Sequence, residues 1–198
     1  MSAAGLFGLF IVVARARSRS ETPPKLSAKS SLKIRTALPA DAALLLDFVE
    51  QVNSESKFLT AEPGEFEMTE EEETNFVRDI VASSNQVFFL GFIGDKLIST
   101  CMVLASQTRV RLQHRGVLGI SVARAYWGQG IGGAMLDHLI AWAKNNPILT
   151  KLDLDTRADN KRAIVLYRSR GFVKEGRLRN NFYVDGQYYD AYTFKTII

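Results

Sequence analysis

The chain has 198 residues, 46% of them hydrophobic and 10% aromatic, enough to build a full core in a water-soluble globular domain. One cysteine, Cys101, and two histidines supply neither a disulfide framework nor a zinc-type ligand cluster, so no metal is expected and a reducing, cytoplasmic setting fits. The formal net charge of +4 sits in residues 1–31, where Arg15, Arg17, Arg19, Lys25 and Lys29 face only Glu21; the rest is balanced, which argues against nucleic acid as a partner.

Residues 1–31 differ in composition from everything that follows. "GLFGLFIVVA" is apolar but about half the ~20 residues that span a bilayer, so stable membrane insertion is not expected. "RARSRSETPPKLSAKSS" is rich in Arg and Ser, carries a Pro-Pro pair and lacks apolar periodicity, the composition of a linker or disordered segment. Its positive charge follows the apolar run, the reverse of a secretory signal. A transit peptide, and with it organelle targeting, stays open. Order is expected from Leu32, with residues 32–198 as one domain.

From Leu32 the pattern alternates strands and helices. "LKIRTA" reads as a strand, and Pro39-Ala-Asp41 leads into the helical run "AALLLDFVEQV". Thr69 is placed to cap "EEEETNFVRDIVAS", with Phe76, Val77 and Ile80 inward and Glu70 to Glu73 in solvent. "QVFFLGFI", the turn "GDK" and "LISTCMVLAS" form a hairpin, and "RGVLGISVA" is a further strand. "GGAMLDHLIAWAKNN" has helical spacing through Met135, Leu136, Leu139 and Ala143, and Pro147 ends it. In "LTKLDLDT" the period of two turns Leu152 and Leu154 inward and Asp153 and Asp155 outward. "DNKRAIVLYRSRGF" is a helix closed by Gly171, and two strands joined by Asp185-Gly186 finish the chain. The order predicts an α/β (α+β) fold, a mixed, mostly antiparallel sheet flanked by helices.

Between the strand "RGVLGISVA" and the next helix lies "YWGQGIGGAM", with four glycines in six positions. The first N–H groups of a helix lack partners and carry partial positive charge, and glycines let an anion approach them, so a phosphate is the natural guest. No Gly-Lys-Ser/Thr follows, as a P-loop requires. "GQGIGG" also departs from the Gly-x-Gly-x-x-Gly of a dinucleotide fold and follows a meander instead of opening a βαβ unit. A tight turn with close packing accounts for one or two of the four.

"VARAYWGQGIGGAML" resembles the acetyl-CoA loop of the GNAT family of N-acetyltransferases, Arg/Gln-x-x-Gly-x-Gly/Ala after a strand ending in Val. "DNKRAIVLYRSRGF" is similar to the same family's Asn-x-x-Ala-x-x-Leu-Tyr-x-x-x-Gly-Phe helix, from Asn160 to Phe172. The chain departs at Trp127, where the family pattern has Arg or Gln. The resemblance implies a GNAT-type fold from about Leu32 to the end and acetyl-CoA as co-substrate, its pyrophosphate held at Trp127, Gly128, Gln129, Gly130, Ile131, Gly132 and Gly133. It also implies cofactor contacts at Ile120, Ser121 and Val122, at Asn160 and at Tyr167.

The implied reaction carries acetyl to an amine, of a small molecule, polyamine, amino acid or protein N-terminus. A lysine-like amine is only about one part in a few thousand neutral at pH 7, so a base is needed. The developing oxyanion needs a backbone N–H, which the amides near Ile120–Val122 supply in the resemblance, and Gly119 eases the strand distortion this requires. Tyr167 falls where the family has its thiolate-side tyrosine, a general acid or a core aromatic. The base is less legible. Many family members place a Glu on the strand before the glycines, and "RGVLGISVA" has none. The glutamate-rich stretch 50–73 offers Glu62 and Glu65 beside Pro63-Gly64 as candidates, with Tyr188 and Asp190 as alternatives. Arg124 reads as solvated or phosphate-facing, and Cys101 as a packed thiol, with His114 too distant in sequence to argue for its activation. A homodimer is compatible with the pattern, and a non-catalytic acyl-CoA-binding module is the alternative.

Overall fold

The computed structural model describes residues 31–65 and 67–198; the extension expected at the N-terminus falls, Ser31 apart, outside the described residues. Local chemistry sets several element ends. Thr69 caps its helix: its hydroxyl accepts from Glu72 N at 3.2 Å while the Glu72 carboxylate accepts from Thr69 N at 2.8 Å, a reciprocal box worth about 1 kcal/mol. Asp185 and Gly186 both have positive φ, 51° and 77°, the backbone that a two-residue hairpin turn requires.

The elements are β1 (Lys33–Thr36), α1 (Ala42–Glu55), α2 (Glu70–Ala82), β2 (Val87–Ile93), β3 (Lys96–Ala105), β4 (Arg115–Val122), α3 (Ile131–Lys144), β5 (Lys151–Arg157), α4 (Lys161–Arg168), β6 (Val173–Val184) and β7 (Gln187–Ile197). The seven strands form one sheet in the order β1-β2-β3-β4-β5-β7-β6. Every junction is antiparallel except β4–β5. This is the expected class, a mostly antiparallel sheet flanked by helices.

Alternation along the strands gives each face its own core. On one face α3 and α4 bury Ile131, Met135, Leu136, Leu139, Ile164 and Tyr167 against Phe89, Cys101, Leu118, Leu154 and Phe194. On the other, α1 and α2 bury Leu45, Phe48, Val77 and Ile80 against Phe88, Leu90 and Leu97. Those two helices pack on β2 and β3. Among the described residues no helix is long and apolar enough to cross a membrane.

One junction departs from an ordinary sheet. β4 and β5 pair only at Arg115–Lys151, Gly116–Leu152 and Val117–Asp153. There Asp153, 3% exposed, is held by Arg115 from β4 and by Lys151 Nζ at 2.9 Å. Beyond it β4 continues on β3 and β5 continues on β7, so the two strands part and leave a gap.

Two expectations of exposure are corrected. Asp153 does project opposite to Leu152 and Leu154, but it is buried in its ion pairs; period-two patterning identifies a face and cannot report whether that face is covered. Glu73 is also buried, at 4% exposure, unlike Glu70, Glu71 and Glu72. It lies four residues before Val77 and seven before Ile80, on the inner stripe of α2.

Burial pushes the Glu73 carboxyl up from its ordinary 4.5 to about 7. A raised folded-state value means that the folded chain keeps a proton that the unfolded chain releases, so stability falls as pH rises from about 4.5 to about 7. We expect Glu73→Gln to stabilise the protein by about 2–3 kcal/mol at pH 8 and by far less at pH 5. Thermal melts at the two pH values check this; an equal effect at both would contradict it.

Candidate active site

The gap between β4 and β5 opens toward the segment that joins β4 to α3. Gly128 and Gly130 there have φ of 75° and 81°, the left-handed region that a glycine enters without strain. Gly130 is the N-cap of α3 and no side chain caps it; the first bond within the helix runs from Ala134 N to Gly130 O at 3.0 Å. The amides of Ile131, Gly132 and Gly133 therefore precede the helical ladder, at the positive end of a fourteen-residue helix.

The other two glycines answer to packing. A Cβ on Gly132 would lie 3.2 Å from Leu166 Cδ2, and one on Gly133 would collide with the Arg170 guanidinium, which also pairs with Asp137. Both let α4 and its C-terminal turn approach α3. A Cβ on Gly128 would meet no protein atom within 4 Å. Gly128 and Gly130 thus shape the open side of the turn, and Gly132 and Gly133 its packed side.

The remaining residues of the turn are partly committed to holding it. Trp127 Nε1 donates to Val122 O at 2.6 Å, fastening the turn to the end of β4. Gln129 Nε2 donates to Ala125 O at 2.8 Å, and Ile131 is buried in the core. The guanidinium carbons of Arg162 and Arg124 lie 4.7 and 5.8 Å from the Trp127 ring centroid. Two cations thereby stand on the aromatic face beside the start of α3. The sequence leaves Arg124 either solvated or phosphate-facing; the indole fixes its guanidinium beside the turn.

The parted edge of β4 is itself a donor surface. Ala123 N donates to Ile98 O on β3 at 2.9 Å. By alternation the backbone groups of Ile120 and Val122 turn the other way, into the gap. Trp127 occupies Val122 O, which leaves the Ile120 and Val122 amides directed there; Ser121 instead presents its carbonyl to Ser99 Oγ at 2.7 Å on the β3 side.

Asn160 caps α4, its Oδ1 accepting from Ala163 N at 3.2 Å. One face of α4 carries Ile164 and Tyr167 into the core. The Tyr167 ring packs edge-on against Phe172 and tilted against Phe194, with centroids 6.0 and 6.2 Å away. Burial, with a smaller contribution from the nearby Cys101 thiol, pushes its phenol well above the ordinary value. It stays a proton donor at neutral pH.

On the opposite face, where α1 and α2 pack mainly on β2 and β3, the floor beside the gap is made by Gly119 and Ser121 of β4, Asp155 of β5 and Thr193, which pairs with Asp155, of β7. Asp155 is exposed and is the first residue of β5 past the parting whose side chain belongs to this face. Sequence reading treated it as an outward strand residue; the missing signal was which sheet face lies open, and that depends on topology.

The other acidic and aromatic candidates have local duties. Glu65 Oε2 accepts from Glu62 N at 2.9 Å and Glu65 N donates to Glu62 O at 3.1 Å, so the pair closes the Pro63-Gly64 turn upon itself. Asp190 accepts from Asn180 N and binds Arg177, which hold its carboxyl below the ordinary range. Tyr188 is exposed and packs tilted against Tyr183, ring centroids 4.8 Å apart. Among the described residues no His, Cys, Asp and Glu cluster has the grouping of a metal site.

Comparison with known proteins bears on this geometry. The model of the acetyltransferase (GNAT) family matches residues 49–172. The ribosomal protein bS18-alanine N-acetyltransferase of Escherichia coli (strain K12) is 41% identical over 76 residues, 38% of this chain and 50% of that protein, so the match spans about half that relative's length. An acetyltransferase of the GNAT family from Streptococcus pneumoniae superposes with a TM-score of 0.82 at 34% identity, covering 84% of this chain and 99% of that one. A phosphinothricin acetyltransferase from Sinorhizobium meliloti, in complex with AcCoA, shares the fold at a TM-score of 0.73 and 16% identity, over 85% of this chain and 89% of that one.

Proposed function

We propose that this chain, which belongs to the acetyltransferase (GNAT) family, carries an acetyl group from acetyl-CoA to a primary amine by direct attack. The observation that supports this most is the sheet gap itself. It has an uncapped helix start and two arginines at one end, a buried phenol on one face and an exposed carboxylate on the other.

Each residue then has a task. The amides of Ile131 to Gly133, with Arg124 and Arg162, would hold the pyrophosphate. The Ile120 and Val122 amides would meet the pantetheine arm and the acetyl oxygen, which gains negative charge as the amine adds. The amine nitrogen forms a bond to the acetyl carbon while the carbon–sulfur bond breaks. Asp155 accepts the proton that the ammonium must lose before its nitrogen can attack; Tyr167 gives one to the departing sulfur, and the second nitrogen proton, shed as the amide forms, restores the phenol through solvent. A carboxylate on β5 takes up the role for which β4 supplies no Glu. On this reading the missing β4 Glu no longer favours a binding module without turnover.

The acceptor is a primary amine on the open side of the sheet. The relative from Escherichia coli is named for acetylating an alanine of a ribosomal protein. A panel of amino acids, polyamines, aminoglycosides and alanine-leading peptides, read by thiol release from acetyl-CoA, tests the activity; no release above the no-acceptor rate across the panel would contradict the proposal.

Three substitutions test the assignments. Gly130→Val places a branched side chain at φ 81° beside the open amides; acetyl-CoA affinity should fall by at least about tenfold in calorimetry, and wild-type affinity would contradict the cradle. Tyr167→Phe keeps the ring packing, so acetyl-CoA affinity should hold while kcat falls by about 10²–10⁴-fold. With chemistry shown to be rate-limiting, an unchanged kcat would make Tyr167 a core aromatic only. Asp155→Asn should lower kcat by about 10²-fold or more with acetyl-CoA affinity intact, and a rate within about twofold of wild type would remove Asp155 from the mechanism.

A further inference from the structure

The β5 strand that carries Asp155 ends two residues later in Arg157, whose side chain is only 5% exposed. An arginine so buried must satisfy its donors within the protein. Nε and Nη2 donate to the two oxygens of Asp159 at 3.0 and 2.7 Å, a bidentate pair within the β5–α4 turn. Nη1 crosses to another part of the chain and donates to Lys57 O at 2.7 Å. The guanidinium carbon also lies 3.7 Å from the Tyr189 ring centroid and 5.0 Å from that of Phe58.

Lys57 and Phe58 open the segment that leaves α1 and meets the end of β5 at Arg157, on the face that carries Asp155. α1 and α2 make their main sheet contacts with β2 and β3. The segment is joined to the far side of the gap chiefly through Arg157. A second link, between Lys57 and Asp185 in the β6–β7 turn, is an exposed ion pair, a kind that contributes little.

We propose that Arg157 is a positioning residue for the acceptor: it clasps the 57–65 segment to β5 and so sets the width of the amine cleft beside Asp155. This rests on the reading of that face as the acceptor side. The base and the wall opposite it are then referenced to one strand, so their spacing is fixed by two residues of β-structure. A planar fork is required, because Nη1 must reach Lys57 O while the other two nitrogens stay on Asp159 and the plane stays against Tyr189. Lysine keeps the charge and lacks the fork.

The test uses Arg157→Lys in the full chain, with the panel amine that wild type acetylates fastest. The acceptor KM should rise about tenfold, with kcat within about threefold and acetyl-CoA affinity unchanged in calorimetry. Trypsin cleavage after Lys57, the residue whose carbonyl the clasp holds, should accelerate at least about fivefold under native conditions. Phe58→Ala, which leaves β5 intact, should move both readouts the same way to a smaller extent. Unchanged cleavage after Lys57, or an acetyl-CoA affinity that weakens in step with the acceptor KM, overturns the clasp. If wild type acetylates no amine, the function fails, while cleavage after Lys57 still decides whether the clasp exists.

Discussion

A three-residue parallel pairing governs this molecule. β4 and β5 are hydrogen-bonded as far as Val117 and Asp153 and no further. At that limit a buried carboxylate is clamped by Arg115 across the junction and by Lys151 beside it. A buried carboxylate without partners would be costly, so the pairs tie the strands together just where they begin to diverge. Past it the strands follow different neighbours, β3 and β7, whose twist carries them apart. Each strand stays paired on its outer edge, and the inner edge of β4 is left with amides directed into the opening.

The two faces of the opening are chemically opposed. On the α3/α4 side stand the positive end of a helix dipole and the guanidinium groups of Arg124 and Arg162. On the α1/α2 side stand Asp155 and, in the neighbouring segment, Glu62 and Glu65. An anionic nucleotide and a cationic amine would each find their own side, and the sheet keeps the two fields apart except at the gap. Tyr167 belongs to the first face and Asp155 to the second, so the proposed proton donor and proton acceptor are separated by the plane of the sheet.

Much of this was legible in the sequence, and the exceptions share a cause. Thr69, Asp185-Gly186 and Gly171 announce element ends because their chemistry is local. The glycine cluster announced a helix start, but not that its members divide into two that bend the backbone and two that admit α4; that division needs Leu166 and Arg170, more than thirty residues away. Glu73 is the instructive miss. Its spacing to Val77 and Ile80 placed it on the inner stripe, yet its charge and its three acidic neighbours outweighed the period. Asp155 and Arg157 were hidden for a different reason: alternation assigns them a face, and only the tertiary structure says that this face lies open beside β4 and that Arg157 holds Lys57 at its β5 end.

Cys101, the single thiol of the chain, faces α3 from the middle of β3, with its Sγ 3.9 Å from Met135 O and 1% of its surface exposed. Burial drives its ionisation far above the ordinary range, so the reactive thiolate is absent from the native protein at working pH. The folded chain is therefore silent toward Ellman-type disulfides and maleimides. In an assay of the proposed transfer, a sulfhydryl that such reagents count over the native protein would be that of released coenzyme, while the same reagents added under denaturing conditions report the fraction of chain unfolded. One buried sulfur would thus separate two signals, turnover and unfolding, that a surface cysteine would merge.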